Sequence, residues 1–284
     1  MVKKAHLITG KGGTGKSLFS VVLAHYFSTQ MQSILLCELS DPSFFKDYLN
    51  LPEITYKPLS WKPNLDISQW SPENCLKEYA LHLLKIESLY KLFFENSVSK
   101  SLIQIAPGLL DLALLGKMTS SPRKQGPAMP YNQIVVDSFS TGHFLSLLRA
   151  PAALAEAIPF GPMGEQSKNI DQYLRSPDFT EVHILTLAEE LPLTECRELY
   201  QQLLTEFNIK AKVYLNKLTA ISLEDLVDLP EVAQNSLKRV LNAEATARLQ
   251  LQKAQIDFVE LPLVASIETE TLVTVLSNHL KVVL

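Results

Sequence analysis

A chain of 284 residues with 46% hydrophobic content can bury a sizeable core, and its formal charge of −4 argues against a broad basic surface for nucleic acid. Met1-Val2-Lys3-Lys4-Ala5 leads into the first strand without an apolar signal region, and no later run is long and uncharged enough to span a bilayer. A cytoplasmic protein with no integral membrane segment is therefore expected, its scattered Cys37, Cys75 and Cys196 reading as buried free thiols.

In chain order, His6–Thr9 reads as a buried parallel strand and Ser17–Gln30 as a helix, with Leu18, Val21, Val22 and His25 on related faces. Ser33–Leu39 is a second strand. From about Phe44 to Pro130 the alternation breaks. This interval holds Pro52, Pro58 and Pro63, a possible strand at Leu65–Trp70 and a capped helix entry at Ser71-Pro72-Glu73-Asn74. Leu76–Phe94 has the spacing of an amphipathic helix, read as packed on its own core, and Leu109–Met118 is a second apolar helix. Ser120–Pro127 is expected to be an exposed loop. Strands follow at Asn132–Asp137, Glu181–Leu187, Ala211–Leu215 and Ile256–Leu261, and an amphipathic last helix runs from about Glu270 to Leu284. The alternation predicts an α/β fold, a doubly wound, mostly parallel sheet with a small helical insertion at about 50–128 in a single domain of residues 1–284.

Between the first strand and helix lies Gly10-Lys11-Gly12-Gly13-Thr14-Gly15-Lys16-Ser17, a phosphate-loop pattern with a second lysine inside it. Its glycines let backbone N–H groups turn inward around phosphate oxygens, Lys16 reaches the β/γ-phosphates, and Ser17 supplies a hydroxyl for Mg²⁺. Lys11 comes too early for the Lys16 role. A cation there suits phosphates bound by a second subunit, as an arginine finger acts in trans. A nucleotide hydrolase also needs a carboxylate near the metal at a strand end, and Ile134-Val135-Val136-Asp137 supplies Asp137. Thr141-Gly142-His143, just beyond, is placed to sense the γ-phosphate. Asp41, in Glu38-Leu39-Ser40-Asp41-Pro42, follows the second strand at the carboxyl edge where open sheets bind ligands, and is assigned the alignment of attacking water.

The two-lysine loop, Asp41-Pro42 and Asp137-Ser138-Phe139-Ser140-Thr141-Gly142-His143 together resemble the ArsA-like ATPases, which include arsenical-pump ATPases and tail-anchored-protein-targeting ATPases. Ala106-Pro107-Gly108, Thr186–Glu195 and Asn216 extend the resemblance over nearly the whole chain. It implies an ATP- and Mg²⁺-dependent dimer, of identical chains or with a paralogue, that controls a protein partner. In it Gly12, Gly13, Thr14, Gly15, Lys16, Ser17 and Leu18 hold the nucleotide, Lys11 contacts the partner's nucleotide, and Asp41, Pro42, Thr141, Gly142 and His143 form the switches. It further implies that Asn216 recognises adenine, with Phe258 to Leu263, and so Pro262 and Leu263, bordering the base. The chain departs from the family pattern at Ser43-Phe44 and Ser138-Phe139-Ser140, and it lacks both a Cys-x-x-Cys clasp and a cysteine triad. Other readings are a nucleotide-gated scaffold with little hydrolysis and a surface-partitioning ATPase of the ParA or MinD kind.

Overall fold

A computed structural model of the chain describes residues 2–84, 108–127, 129–222, 224, 229–266 and 268–283. The strands among them are β1 (Lys4–Gly10), β2 (Ile34–Glu38), β3 (Leu59–Lys62), β4 (Leu65–Gln69), β5 (Gln133–Asp137), β6 (Thr180–Thr186), β7 (Lys212–Leu218) and β8 (Phe258–Pro262). They form one sheet in the order β3-β4-β2-β5-β1-β6-β7-β8. Neighbours run parallel except β3, which returns antiparallel to β4 at the edge.

Both faces of this sheet are covered, which is why its central strands read as unbroken apolar runs rather than alternating ones. Leu7, Leu35, Ile134, Val136, Val182 and Ile184 enter one core layer, while Ile8, Ile34, Leu36, Val135 and Leu185 enter the other. Each such aliphatic side chain taken from water contributes roughly 1.5–3 kcal/mol. The helices are α1 (Lys16–Thr29), α2 (Phe44–Tyr48), α3 (Pro72–Leu84), α4 (Leu109–Met118), α5 (Ser120–Arg123), α6 (Thr141–Ala157), α7 (Gly161–Arg175), α8 (Glu190–Phe207), α9 (Glu231–Lys253) and α10 (Thr269–Val283). The first layer takes residues from α4, α6 and α8, and the second takes Val21, Val22 and Leu23 of α1 with Val273, Leu276 and Leu280 of α10. The last helix thus lies on α1 and packs against β8, and its Glu270 pairs with Lys62 of β3 at 3.6 Å.

The interval that breaks the alternation supplies α2, β3, β4 and α3 to α5. Ser71 caps α3 as its sequence predicts, accepting the Asn74 N–H at 3.2 Å. The expected helix over Leu76–Phe94 is observed as far as Leu84, and its remainder lies outside the described residues. Ser120–Pro127 corrects the expectation of an exposed loop. Ser120–Arg123 is a helical turn with Ser120 buried, because the Arg123 guanidinium folds back onto the Gly116 carbonyl and Thr119 hydroxyl, both at 2.8 Å, and Ser120 donates to the Pro127 carbonyl. β3 had no counterpart in the sequence reading. It is a four-residue edge strand preceded by Pro58, with little apolar pattern of its own.

Beneath α1, at the start of the central strands, a buried polar chain crosses the sheet. Gln133 directs its amide nitrogen to Gln32, so its oxygen faces His6 and accepts from Nε2 at 2.7 Å. His6 Nδ1 is then an acceptor. His183 therefore donates from Nε2 across 3.0 Å, and its Nδ1 accepts from the Tyr214 hydroxyl at 3.0 Å. Glu181 stands beside the pair, 3.4 Å from His183 and 3.8 Å from His6, and binds Lys4 at 2.8 Å and Lys212 at 2.9 Å. Two histidines and a carboxylate can form a metal donor set. Here the lysines already outnumber the carboxylate, and a divalent cation would add to a positive excess. We read the cluster as a clamp across β5, β1, β6 and β7.

Candidate functional site

The phosphate loop leaves the carboxyl end of central β1 and closes at the start of α1. Two of its glycines are required, Gly10 by the backbone beside it and Gly15 by its left-handed φ. A Cβ on Gly10 (φ +139°) would stand 2.2 Å from the Leu185 carbonyl oxygen, and one on Gly15 (φ +96°) would stand 2.6 Å from the Asn216 amide nitrogen. A Cβ on Gly12 or Gly13 would meet no atom within 4 Å, so the loop is open on its ligand side. Its curvature gathers on the Lys11 carbonyl, which accepts from the Thr14 hydroxyl at 2.8 Å and from Lys16 Nζ at 3.1 Å. Burial lowers the Lys16 pKa, while the Asp137 charge partly restores it.

Asp137 is brought to this loop by sheet register. Ile8 pairs with Asp137, so the end of β5 lies two residues short of Gly10. The side chain points to the α1 face and accepts from the Ser20 hydroxyl at 3.1 Å. Burial raises its pKa to about 6, against hydrogen bonds from Ser17 and Ser20 and the charge of Lys16. The Glu38 charge adds to the rise, and the Asp137 carboxylate with the Ser17 hydroxyl beside it offers oxygen ligands of the kind that fit Mg²⁺.

Glu38, at the end of β2, pairs with Asp137 across the sheet and is fully buried. Asp41 lies in the exposed segment that follows, before α2. Thr141, Gly142 and His143 form the first turn of α6. The His143 ring stacks on Phe139 at 3.7 Å, and the Phe139 carbonyl accepts from Thr9 of β1 at 2.9 Å.

Three further side chains, to which the sequence assigns no role, touch the loop and its neighbours. Glu195 of α8 holds Lys11 in an ion pair and accepts from the Thr141 hydroxyl at 3.0 Å, linking the extra lysine to the segment after Asp137. Lys217, in the left-handed backbone region, reaches the Gly13 carbonyl at 3.2 Å. Glu38 gathers the Asp41 segment, as described below. Glu195 ends the Thr186–Glu195 stretch and Glu38 opens the Asp41 segment, but neither carries a role from its motif alone. Their signals were a charge inside an apolar context for Glu38 and position beside a recognised residue for the other two.

The residues expected at the base are also brought to one place. Asn216, at the carboxyl side of β7, donates to the Thr14 carbonyl at 2.9 Å and so braces the phosphate loop. Leu18 and Asn216 line a small cavity with Gly15 and Leu261, and Asn216 also borders an open cleft of about 380 Å³ with Leu187, Lys217 and Arg239. Leu263 N–H donates to the Leu218 carbonyl at 2.7 Å, placing Pro262 and Leu263 against the end of β7.

Residues 3–163 match the family described as anion-transporting ATPase. The chain belongs to this ArsA family. It is 29% identical over 210 residues to the ATPase BagA of Mycobacterium tuberculosis, covering 70% of the chain and 61% of that relative. It is 24% identical over 211 residues to an arsenical pump-driving ATPase of Acidiphilium multivorum, covering 69% of the chain and 36% of the relative. An ASNA1 homolog of Plasmodium chabaudi chabaudi is 28% identical over 154 residues, which is 54% of the chain and 38% of that protein. The chain thus spans about three fifths of the length of the first curated relatives it matches. The family's mostly parallel α/β sheet with flanking helices is the architecture described above. Among the described residues, no helix is long and apolar enough to cross a membrane.

Proposed function

We propose that this protein is a cytoplasmic, Mg²⁺-dependent ATPase whose nucleotide cycle opens and closes a dimer and thereby controls binding of another protein. The observation that carries the reading is the Ile8–Asp137 register, which sets a buried carboxylate beside a glycine loop whose Lys16 feels its charge. Family membership supports the same chemistry, since the relatives carry the name ATPase.

In this reading the backbone from Gly12 to Ser17, with Leu18, receives the phosphates, and Lys16 offsets charge on the transferring phosphoryl group. Ser17 and Asp137 hold the metal, Asp137 through water, and the ion screens phosphate charge when bound. Asp41 aligns the attacking water, and Thr141, Gly142 and His143 respond to the γ-phosphate. Lys11 leaves Glu195 and reaches the nucleotide of the second subunit, a copy of this chain or a paralogue. Asn216, Pro262 and Leu263 border adenine.

Single-turnover hydrolysis tests the assignment. Asp41→Asn is expected to bind ATP as the parent does and to lose at least about 10²-fold in phosphate release. Turnover at the parental rate would overturn the role of Asp41. A parent protein that holds intact ATP through many minutes would instead favour a nucleotide-gated scaffold, the reading motivated by the altered Ser43-Phe44 and Ser138-Phe139-Ser140 segments.

A further inference from the structure

We infer that Glu38 is a positioning residue that clamps the segment carrying Asp41 and ties it to the strand end bearing Asp137. Alternation along β2 sends Leu36 to the α1 layer and Cys37 to the opposite layer, so Glu38 returns to the α1 face, the same face as Asp137, its register partner. A carboxylate with no exposed surface at a strand end is costly unless its oxygens are satisfied. They are satisfied entirely by the following segment. One oxygen accepts from the Ser40 hydroxyl at 2.6 Å, the Phe44 N–H at 2.5 Å and the Phe45 N–H at 3.3 Å, and the other accepts from the Ser43 hydroxyl at 2.5 Å.

These donors fall on both sides of Asp41-Pro42. Ser40 precedes the pair, and Ser43, Phe44 and Phe45 follow it. The two residues between are thereby held as a short arch with both feet on one buried group. The feet are fixed further. Gln69 of β4 donates to the Ser40 carbonyl at 2.7 Å, and Ser43 caps α2 by accepting the Lys46 N–H at 3.1 Å. Beside the arch, Leu39 N–H reaches the Asp137 carbonyl at 3.4 Å. Displacement of the Asp41 segment therefore requires Glu38 to release several donors at once, or the whole arch to move with the end of β2.

The distribution of donors separates this role from that of a metal carboxylate. Both N–H groups bind the same oxygen, while the other meets only a hydroxyl, which can rotate to accept. A glutamine can keep its amide oxygen on Phe44 and Phe45 and turn its NH₂ toward Ser43. An alanine loses every contact and leaves the N–H groups unpaired. A positioning carboxylate should accordingly tolerate Glu38→Gln and not Glu38→Ala. A carboxylate needed for its charge at the metal should tolerate neither.

The inference rests on the proposed role of Asp41, and two measurements keep the two separable. Hydrogen exchange of the Phe44 and Phe45 amides in nucleotide-free protein reads the clamp directly. Exchange should speed up at least tenfold in Glu38→Ala, with the strands of the sheet unchanged, and stay within about threefold of the parent in Glu38→Gln. ATP turnover reads its consequence. Glu38→Ala should lower kcat by 10- to 100-fold with less than a threefold change in ATP affinity, Glu38→Gln should retain at least a third of kcat, and Ser43→Ala should fall between them. Unchanged amide exchange in Glu38→Ala would overturn the clamp. Equal losses of kcat in the glutamine and alanine variants would overturn positioning in favour of a charge role. A faster exchange with kcat unaffected would uphold the clamp as structure and remove its functional role, and that pattern together with an active Asp41→Asn would locate the failure in the Asp41 reading.

Discussion

Acidification should weaken this fold through His6. The residue is 2% exposed, and burial lowers its pKa from 6.5 to about 4, against the nearby charge of Glu181. Burial lowers His183 in the same direction. Between pH 6.5 and 4 the unfolded chain binds a proton on His6 that the folded chain refuses, so stability rises with pH and is lost on acidification. A shift from 6.5 to about 4, at about 1.4 kcal/mol per unit, amounts to about 3 kcal/mol for His6 alone. Asp137 acts with the opposite sign, because burial raises its pKa to about 6 and its protonation on acidification relieves the folded state. The wild-type slope is therefore blunted, and the difference between proteins is the informative quantity. Urea unfolding of the wild type and His6→Gln from pH 7.5 to 4 should show their stability difference moving by about 3 kcal/mol against the wild type as pH falls. A difference constant within about 0.5 kcal/mol over that range would refute the reasoning, since the histidine chain would then not be held neutral by burial.

Asp137→Asn should raise the melting temperature of nucleotide-free protein at pH 7, because a buried charge held from 3.8 to about 6 costs about 3 kcal/mol, while Mg²⁺-dependent ATP turnover is lost; differential scanning fluorimetry and phosphate release check the two halves. Gly15→Ala should cost about 1–2 kcal/mol in backbone strain and, by pushing Asn216 off the Thr14 carbonyl, weaken ATP binding more than about tenfold in a calorimetric titration. Lys11→Ala should remain monomeric with a non-hydrolysable ATP analogue in sedimentation velocity. Glu195→Gln, which frees Lys11 from a half-buried ion pair at the surface worth about 0.2–1 kcal/mol, should tighten the nucleotide-dependent dimer by up to about fivefold.

The sequence by itself determined the elements whose cause is local. Gly10 to Ser17 declares a loop between strand and helix, branched apolar runs declare strands buried on both faces, and Ser71-Pro72 declares a helix start. Each rests on backbone preferences or periodicity within a few residues, and each is found where expected. The site residues named from motifs, Lys16, Asp137 and Asp41, owe their legibility to the same short range. Tertiary structure alone decided what those residues touch. Glu195 is 184 positions from Lys11, and the register of β1 on β5 joins residues 129 positions apart. Glu38 looked like the end of a strand until its carboxylate was found holding the Asp41 arch. His6 looked like one more buried strand residue until Gln133, His183 and Tyr214 arrived from three other strands. The physical reason is common to all of them. Burial removes water as a partner, so a polar group inside must find its partners among whatever the sheet order places beside it, and that order is a property of the packed chain rather than of any segment.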